Sequence, residues 1–397
     1  MESLKSSKEQ LYSHIEDMKP ELISLSDFIH DNPELGNEEY QAQKRLVSIL
    51  KKNNFTVEEV EVSETAFVAT YKNGENDGPV IGLLCEYDAL EGLGHACAHN
   101  LQPSTVIGSA IAICKGLQER SYTLKIIGTP AEETTSAKIP MTKAGIFDDL
   151  DIALMMHGGD RTTVDGRSLA ASNFEFNFHG KESHAAVAPE KGRSALDGVL
   201  QTFNGIEYLR EHVQSDVRIH GVITNGGKKP NIVPAEATAE FSIRAQNREY
   251  LNSVIERVKK VVQGAALSTE TTVDIVEKKS LESKLNVQTL NDIILENAHL
   301  IQADSITPPR ERTGSTDFSI VTHRVPGACI RVSFVPLGTP NHTKDWEKAS
   351  KSENGYRAIF QGAKILAGTI YDLLMDDSLI LKIQEEHLLE KRRIKNM

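Results

Sequence analysis

The sequence predicts an α/β protein: a larger domain has a mainly parallel, mixed sheet flanked by helices, and a smaller α+β sandwich is inserted into it. Two patterns support this prediction. From the amino terminus to Met156, short apolar segments alternate with segments of helical periodicity, as in sheets whose parallel strands are joined by helices. Between Asn173 and Val276 the order becomes strand, helix, two strands, helix and strand, which is typical of a small sandwich.

The amino-terminal elements follow in order. Apolar side chains recur at helical spacing from Lys8 to Asn32, and Asn32-Pro33 ends this pattern. A second helix is predicted over residues 38–52. Strands are predicted after it at residues 57–62, 66–71, 80–85, 124–128 and 152–156, with a helix at 105–118 before the fourth strand.

The remaining elements define the expected domain boundaries. In the inserted domain, helices are predicted at residues 195–212 and 248–264 and strands at 218–224 and 237–245. A strand at 328–334 and a long helix at 354–374 complete the larger domain. We therefore expect residues 1–172 and 284–380 to form one domain, residues 173–283 to form the inserted domain, and residues 381–397 to be a charged carboxyl-terminal tail.

Composition restricts the class of partner. The formal net charge of −12 gives the chain no broad basic surface for nucleic acid or an anionic membrane, so small molecules are the expected partners. No apolar run is long enough to cross a bilayer, and residues 1–20 lack the apolar core of a signal peptide. The four cysteines follow no disulfide spacing, which is typical of a reducing compartment. We expect a cytoplasmic protein.

The first chemical signal is GLGHACAHN, residues 92–100, which follows the apolar strand predicted at 80–85. It places His95, Cys97 and His99 within five residues. Thiolate and imidazole suit zinc and related metals, and a loop after a strand can direct both at one point. A buried structural cysteine with hydrogen-bonded histidines is an equal alternative for this segment alone.

Other candidate ligands follow three more predicted strands. Glu132 and Glu133 come after the strand at 124–128, His157 after the strand at 152–156, and His342 after the strand at 328–334. Each alone is more often a solvated or structural residue. Because the carboxyl ends of parallel strands share one rim of a sheet, the four positions together favour a metal site.

Taken together, the motifs resemble those of the aminoacylase/carboxypeptidase metallopeptidases, metallopeptidase family twenty, and most closely its amidohydrolase branch. That branch includes p-aminobenzoyl-glutamate hydrolase, hippurate hydrolase and mammalian dipeptidases. The resemblance covers nearly the whole chain. The motifs that carry it are HDNPELG (30–36), EYDAL (86–90), HACAHN (95–100), PAEE (130–133), HG (157–158), GKESHA (180–185), NIVP (231–234) and GSTD (314–317).

The resemblance implies a metal-dependent hydrolase of N-acyl amino acids or dipeptides with two divalent ions, zinc or manganese. The implied metal ligands are Cys97, His99, Glu133, His157 and His342. Glu132 is the implied general base, which takes a proton from the attacking water and returns it to the leaving amine. Asp88 is implied to orient a ligand.

The inserted domain also receives implied roles. The family counterpart of His184 reaches the active site of the partner subunit and stabilises the oxyanion, so the resemblance implies a homodimer. Asn231 and Arg244 are implied to bind a substrate carboxylate, since a guanidinium fits two carboxylate oxygens.

Two departures and two alternatives accompany this hypothesis. The family usually has Gly where this chain has Ala98 and Pro where it has Glu91. Ala98 costs little if its φ is negative and about 1 kcal/mol or more if it is positive. Alternatively, Cys97 is a covalent nucleophile with His99 or His95 as its base, or the chain is a non-catalytic binding descendant of the family.

Overall fold

The computed structural model describes residues 2–75, 77–164, 166, 168–309 and 314–395. The chain divides into two compact units. The first combines Met1–Arg167 with Lys284–Met397, and the second is Ser168–Ser283. Each unit has its own hydrophobic core.

The strands of the described residues, in chain order, are β1 (Thr56–Glu59), β2 (Phe67–Asn73), β3 (Val80–Cys85), β4 (Tyr122–Gly128), β5 (Ile152–Gly159), β6 (Thr163–Val164), β7 (Ala170–His179), β8 (Arg218–Asn225), β9 (Glu236–Ala245), β10 (Thr272–Leu281) and β11 (Gly327–Ser333). The first strand is shorter than predicted. Val60 instead begins a turn, because its carbonyl accepts a hydrogen bond of 3.0 Å from the Ser63 N–H.

The α-helices of the described residues are α1 (Glu2–Asp17), α2 (Lys19–Asp31), α3 (Tyr40–Lys52), α4 (Leu101–Gly116), α5 (Lys138–Lys143), α6 (Ala195–Arg210), α7 (Arg248–Ser268), α8 (Gln288–Leu300), α9 (Phe318–Thr322), α10 (Lys344–Ser350), α11 (Glu353–Met375) and α12 (Asp377–Lys395). The helical pattern predicted from Lys8 to Asn32 is therefore two helices that meet at Met18. Pro20 lies in the first turn of α2, where a missing N–H is tolerated, but it could not continue α1. None of these helices is both long and apolar enough to cross a membrane.

The sheet of the first unit has the strand order β1-β2-β4-β3-β5-β11-β6. Its centre, β4-β3-β5-β11, is parallel, and the flanking strands β1, β2 and β6 pair antiparallel. The fold is thus the predicted mainly parallel, mixed sheet. In the register, Cys85 lies beside Gly128, and Leu84 lies beside Met155, so β3, β4 and β5 end close to one another.

Helix α4 forms the floor beneath the loop that carries Cys97 and His99. Its residues from Leu101 to Cys114 are all buried, against the sheet and the helices α1, α2 and α11. A helix buried on all sides is a rigid support, because its side chains are close-packed and cannot relax into solvent.

The second unit is an antiparallel sheet of order β10-β7-β9-β8 with α6 and α7 packed against it. Alternate residues of β7 point to one face, and Phe174, Phe176 and Phe178 fill the core there with Phe241 of β9. This is the α+β sandwich expected for the inserted segment.

The charged carboxyl-terminal segment is helical as α12, with Asn396 and Met397 outside the described residues. Ile383 and His387 are buried, and His387 Nε2 lies 2.6 Å from the carbonyl oxygen of Thr322. Glu386 accepts hydrogen bonds from the backbone N–H groups of Gln288 and Thr289 at the start of α8. The helix α12 is therefore packed into the first unit.

Candidate metal centre

The structure brings the five predicted ligands of the first unit together at the strand ends. Cys97 Sγ lies 3.5 Å from His157 Nε2, and His342 Nε2 lies 3.3 Å from Glu133 Oε1. Donor atoms of two sets, each within 4.8 Å of one another, share the thiol: Cys97, His99 and His157 form one, and Cys97, Glu133 and His342 form the other. Two adjacent groups of ligands thus meet at Cys97.

Backbone conformation directs these side chains. Ala98, between Cys97 and His99, has a φ of +60°, and His342 has a φ of +56°. The N–H of His342 donates a hydrogen bond of 3.1 Å to the carbonyl of Ala96. This bond ties the loop after β11 to the loop after β3 and holds His342 beside Cys97.

Asp88 connects two of the ligands. Its Oδ1 accepts a hydrogen bond of 3.1 Å from His99 Nδ1, and its Oδ2 accepts one of 2.9 Å from the Glu133 N–H. An Nδ1–H donor leaves Nε2 of the same ring unprotonated and free to bind a metal. Asp88 therefore fixes both the orientation and the tautomer of His99.

The residues fit a metal. His99 Nε2 is buried, yet it forms no hydrogen bond of acceptable geometry with the described residues, although Glu86 Oε2 is 3.2 Å away. A buried ring nitrogen without a partner is costly unless a ligand satisfies it. The set of one thiolate, three imidazoles and a carboxylate suits zinc and other first-row divalent ions.

The charge states of the ligands agree with cation binding. Burial disfavours the Cys97 thiolate, but the charges of His99 and His157 outweigh it and lower the pKa of this thiol to about 6. Burial likewise disfavours ionised Glu133, but a hydrogen bond from His342 and the charge of His99 lower its pKa to about 2. The thiolate and the carboxylate are the forms that bind metals.

Glu132 lies beside the ligands and inside a second group of acids. Its carboxyl group falls within 4.8 Å of donor atoms of His99 and Glu133, and also of Glu86 and Asp317. Burial, and then the charges of Glu86 and Asp317, raise the pKa of Glu132 well above its ordinary value. A carboxyl group with a raised pKa is suited to accept and return a proton near neutral pH.

Sequence reasoning missed the role of three residues around Glu132. Lys138 is fully buried, and its Nζ lies 2.6 Å from Glu86 Oε1 and 2.8 Å from Asp317 Oδ1. Glu86 and Asp317 stood in motifs that carried the resemblance, whereas nothing in the local sequence marked Lys138. Its partners are 52 and 179 residues away.

The residues predicted in the second unit are placed within it as follows. His184 and Asn231 are neighbours, because the N–H of Ala185 donates to the carbonyl of Asn231 at 3.1 Å, and Asn231 is exposed while His184 is at least partly so. Arg244 lies near the end of β9, and its Nε donates to Ser242 Oγ at 3.2 Å. Asn231 precedes the start of β9, so the structure does not group Arg244 with it within this unit.

The two departures from the family pattern have different consequences. Ala98 has a positive φ, so the cost of about 1 kcal/mol or more for a non-glycine residue applies at this position. Glu91 is exposed on the loop between β3 and His95 and adds a carboxylate there.

An α/β unit with a shared-thiolate ligand cluster at the ends of its parallel strands, and a spare carboxyl group beside it, has the composition of a metallohydrolase site. The comparisons with known proteins agree. A sequence profile of the M20 peptidase dimerisation domain matches residues 170–270. One of the two polypeptides of p-aminobenzoyl-glutamate hydrolase from Escherichia coli is 31% identical, covering 96% of this chain and 95% of that protein.

Two further relatives span the same length. An Xaa-Arg dipeptidase from Mus musculus is 31% identical, covering 96% of this chain and 94% of that protein. The crystal structure of a dinuclear metal-binding M20 peptidase from Bacillus subtilis superposes with a TM-score of 0.67 at 20% identity, covering 90% of this chain and 99% of that one. The chain belongs to the M20 peptidase family, and it is a metallo-amidohydrolase.

Proposed function

We propose that the protein cleaves the amide bond of an N-acyl amino acid or a dipeptide with two divalent ions, zinc or manganese, held by Cys97, His99, Glu133, His157 and His342. The observation that carries this proposal is the pair of ligand groups that share Cys97. The dipeptidase and p-aminobenzoyl-glutamate hydrolase relatives, which match nearly the full chain, support an amide substrate.

The chain's own residues supply orientation and proton transfer. When bound, divalent ions polarise the amide carbonyl and acidify the attacking water. Glu132 accepts the proton of that water on its carboxylate and donates it to the leaving nitrogen. Asp88 holds His99 and Glu133 in place during both steps through its two carboxylate oxygens.

The first experiment tests hydrolysis and its agent together. Protein stripped of metal and reloaded with zinc or manganese is incubated with N-acyl amino acids, p-aminobenzoyl-glutamate and dipeptides, and the free amino acid is quantified. We expect metal-dependent release, and we expect Glu132→Gln to lower kcat by about 10²- to 10⁴-fold, the usual contribution of a general base.

A second candidate function is an amidase with Cys97 as nucleophile, which the lowered pKa of this thiol favours. The same assay separates the two. Release that survives chelation but is abolished by alkylation of Cys97 establishes the nucleophile, and release lost on chelation excludes it. The metal hypothesis also gives Glu133, His157 and His342 a function that the thiol hypothesis leaves unexplained.

We propose further that the protein is a homodimer in which His184 of one subunit stabilises the oxyanion formed in the other. The dimerisation-domain match and the accessibility of His184 support this arrangement. Asn231 and Arg244 are proposed to bind the substrate carboxylate. Four free, buried cysteines support a reducing, cytoplasmic location.

Mixed dimers test the role of His184. His184→Ala and Glu132→Gln chains are inactive alone, but a mixed dimer has one site with Glu132 from one subunit and His184 from the other. Random mixing then restores roughly a quarter of the wild-type activity, since half of the dimers are mixed and each has one intact site. If His184 acted within its own chain, mixing would restore nothing.

A further inference from the structure

Lys138 is a buried cation that the proposed mechanism does not use. Its side chain is fully buried at the start of α5, and its ammonium group contacts Glu86 at 2.6 Å and Asp317 at 2.8 Å. An unpaired buried ammonium would be strongly destabilising, so both short contacts are needed to keep it charged. The three residues join the end of β3, the start of α5 and the start of α9.

The acids around Lys138 form a group that could hold a metal. Oxygen atoms of Glu86, Glu132 and Asp317 lie within 4.8 Å of one another, a spacing and ligand type that hard divalent cations accept. Three carboxylates this close repel one another unless a cation lies among them. The Lys138 ammonium is a cation already in contact with two of the three.

The same group borders the ligand cluster. The second oxygen of Glu86 accepts a hydrogen bond of 2.8 Å from Gln102 Nε2 and lies 3.2 Å from His99 Nε2. Glu132 belongs both to this acidic group and to the group formed with His99 and Glu133. Whatever cation occupies the acidic group therefore sets the position of the general base and of one ligand.

We propose that Lys138 is a positioning residue, a built-in cation that holds Glu86 and Asp317, orients Glu132 between them, and keeps divalent ions out of this acidic group. The inference rests on the proposed function, because the role of Glu132 defines what is being positioned. An ammonium on a short helix has a fixed place and cannot exchange with solvent. A third divalent ion would instead bind Glu132 and compete for its lone pairs.

The experiment compares Lys138→Met with the double variant Lys138→Met/Asp317→Asn, which removes one charge of each sign. Lys8→Met is the matched control, because Lys8 is another buried lysine, paired with Asp372 at 2.6 Å and Asn297 at 2.9 Å. For each protein we measure kcat, KM, the unfolding temperature, and the number of manganese ions retained per chain after dialysis.

We expect Lys138→Met to lower kcat about 10- to 100-fold with little change in KM, and to retain more manganese per chain than the wild type. The double variant should recover stability but not kcat. Lys8→Met should lose stability while keeping the wild-type kcat and ion count. Should Lys138→Met not fold, the kcat of the double variant decides alone.

Three results would overturn the proposal: wild-type kcat in Lys138→Met, an unchanged ion count in that variant, or a double variant whose kcat returns with its stability. The last result would show that Lys138 serves folding only. If the wild type hydrolyses no substrate, the proposed function fails, and the ion count still tests whether Lys138 occupies the acidic group.

Discussion

The Glu39 carboxyl group supports the loop that carries Glu132, and its burial makes the stability of the protein depend on pH. Glu39 is fully buried, with one oxygen accepting a hydrogen bond of 2.7 Å from Thr65 Oγ1 and the other accepting one of 2.8 Å from the Ala131 N–H. Ala131 has a φ of +58° and directly precedes Glu132. The bond from Glu39 thus holds a strained residue next to the general base.

Burial raises the pKa of Glu39 to about 7 from an ordinary value of 4.5, although the hydrogen bond from Thr65 opposes the shift. The difference between the two pKa values corresponds to about 3 kcal/mol, of which the interval from pH 5 to pH 8 contains about 2.5 kcal/mol. Because the folded pKa is raised, this stabilisation is complete below the unfolded value and is lost as the pH rises through about 7.

The perturbation is Glu39→Gln, since an amide keeps an acceptor for the Ala131 N–H and a polar contact to Thr65 but does not ionise. We expect the free energy of unfolding by urea, relative to the wild type, to be about 2 to 3 kcal/mol more favourable to the variant at pH 8 than at pH 5. Glu38→Gln, at an exposed neighbouring position, controls for the loss of one charge. An identical difference between wild type and Glu39→Gln at both pH values would refute the reasoning.

Three further predictions concern the ligands and the packing around them. Asp88→Asn offers one acceptor to two donors, so we expect metal affinity to fall about 10- to 100-fold, measured by competition with a chelating dye, while an unchanged affinity would remove Asp88 from its role. Gly158→Ala would place a Cβ 2.8 Å from the Phe334 ring, which packs on Trp346, so we expect a loss of about 1 to 3 kcal/mol in chemical unfolding; wild-type stability would contradict the packing argument. Deleting residues 377–397 removes the buried Ile380 and Ile383, and we expect a loss of at least about 3 kcal/mol; a deletion without effect on thermal unfolding would show that α12 is dispensable.

The sequence located the strands well and their pairing poorly. The apolar run at residues 80–85 is strand β3, because such runs suit a strand buried on both faces. The antiparallel pairing of β2 with β4 had no local signal, since Phe67 lies opposite Gly128 across a long stretch of chain. The division of the first helical pattern at Met18 did have a signal, Pro20, whose effect apolar periodicity alone concealed.

The candidate centre divides in the same way. The rule that parallel strands end at one rim predicted that Cys97, Glu133 and His157 would meet, and the structure brings them together. The positive φ of Ala98 and His342 could not be predicted, because backbone conformation at such positions is set by tertiary contacts. Lys138 could not be found either, since a lysine in a sequence gives no indication of distant acids that will enclose it.

The central claim is that two bound ions activate water and Glu132 moves its proton. The most direct measurement titrates metal-free protein with manganese while following both the ions bound per chain and the rate of amide hydrolysis, for wild type and for Glu132→Gln. We predict that wild-type activity rises until two ions are bound per chain, and that Glu132→Gln binds the same two ions with kcat lower by about 10²-fold or more. Full activity without metal, or wild-type kcat in Glu132→Gln, would contradict this account.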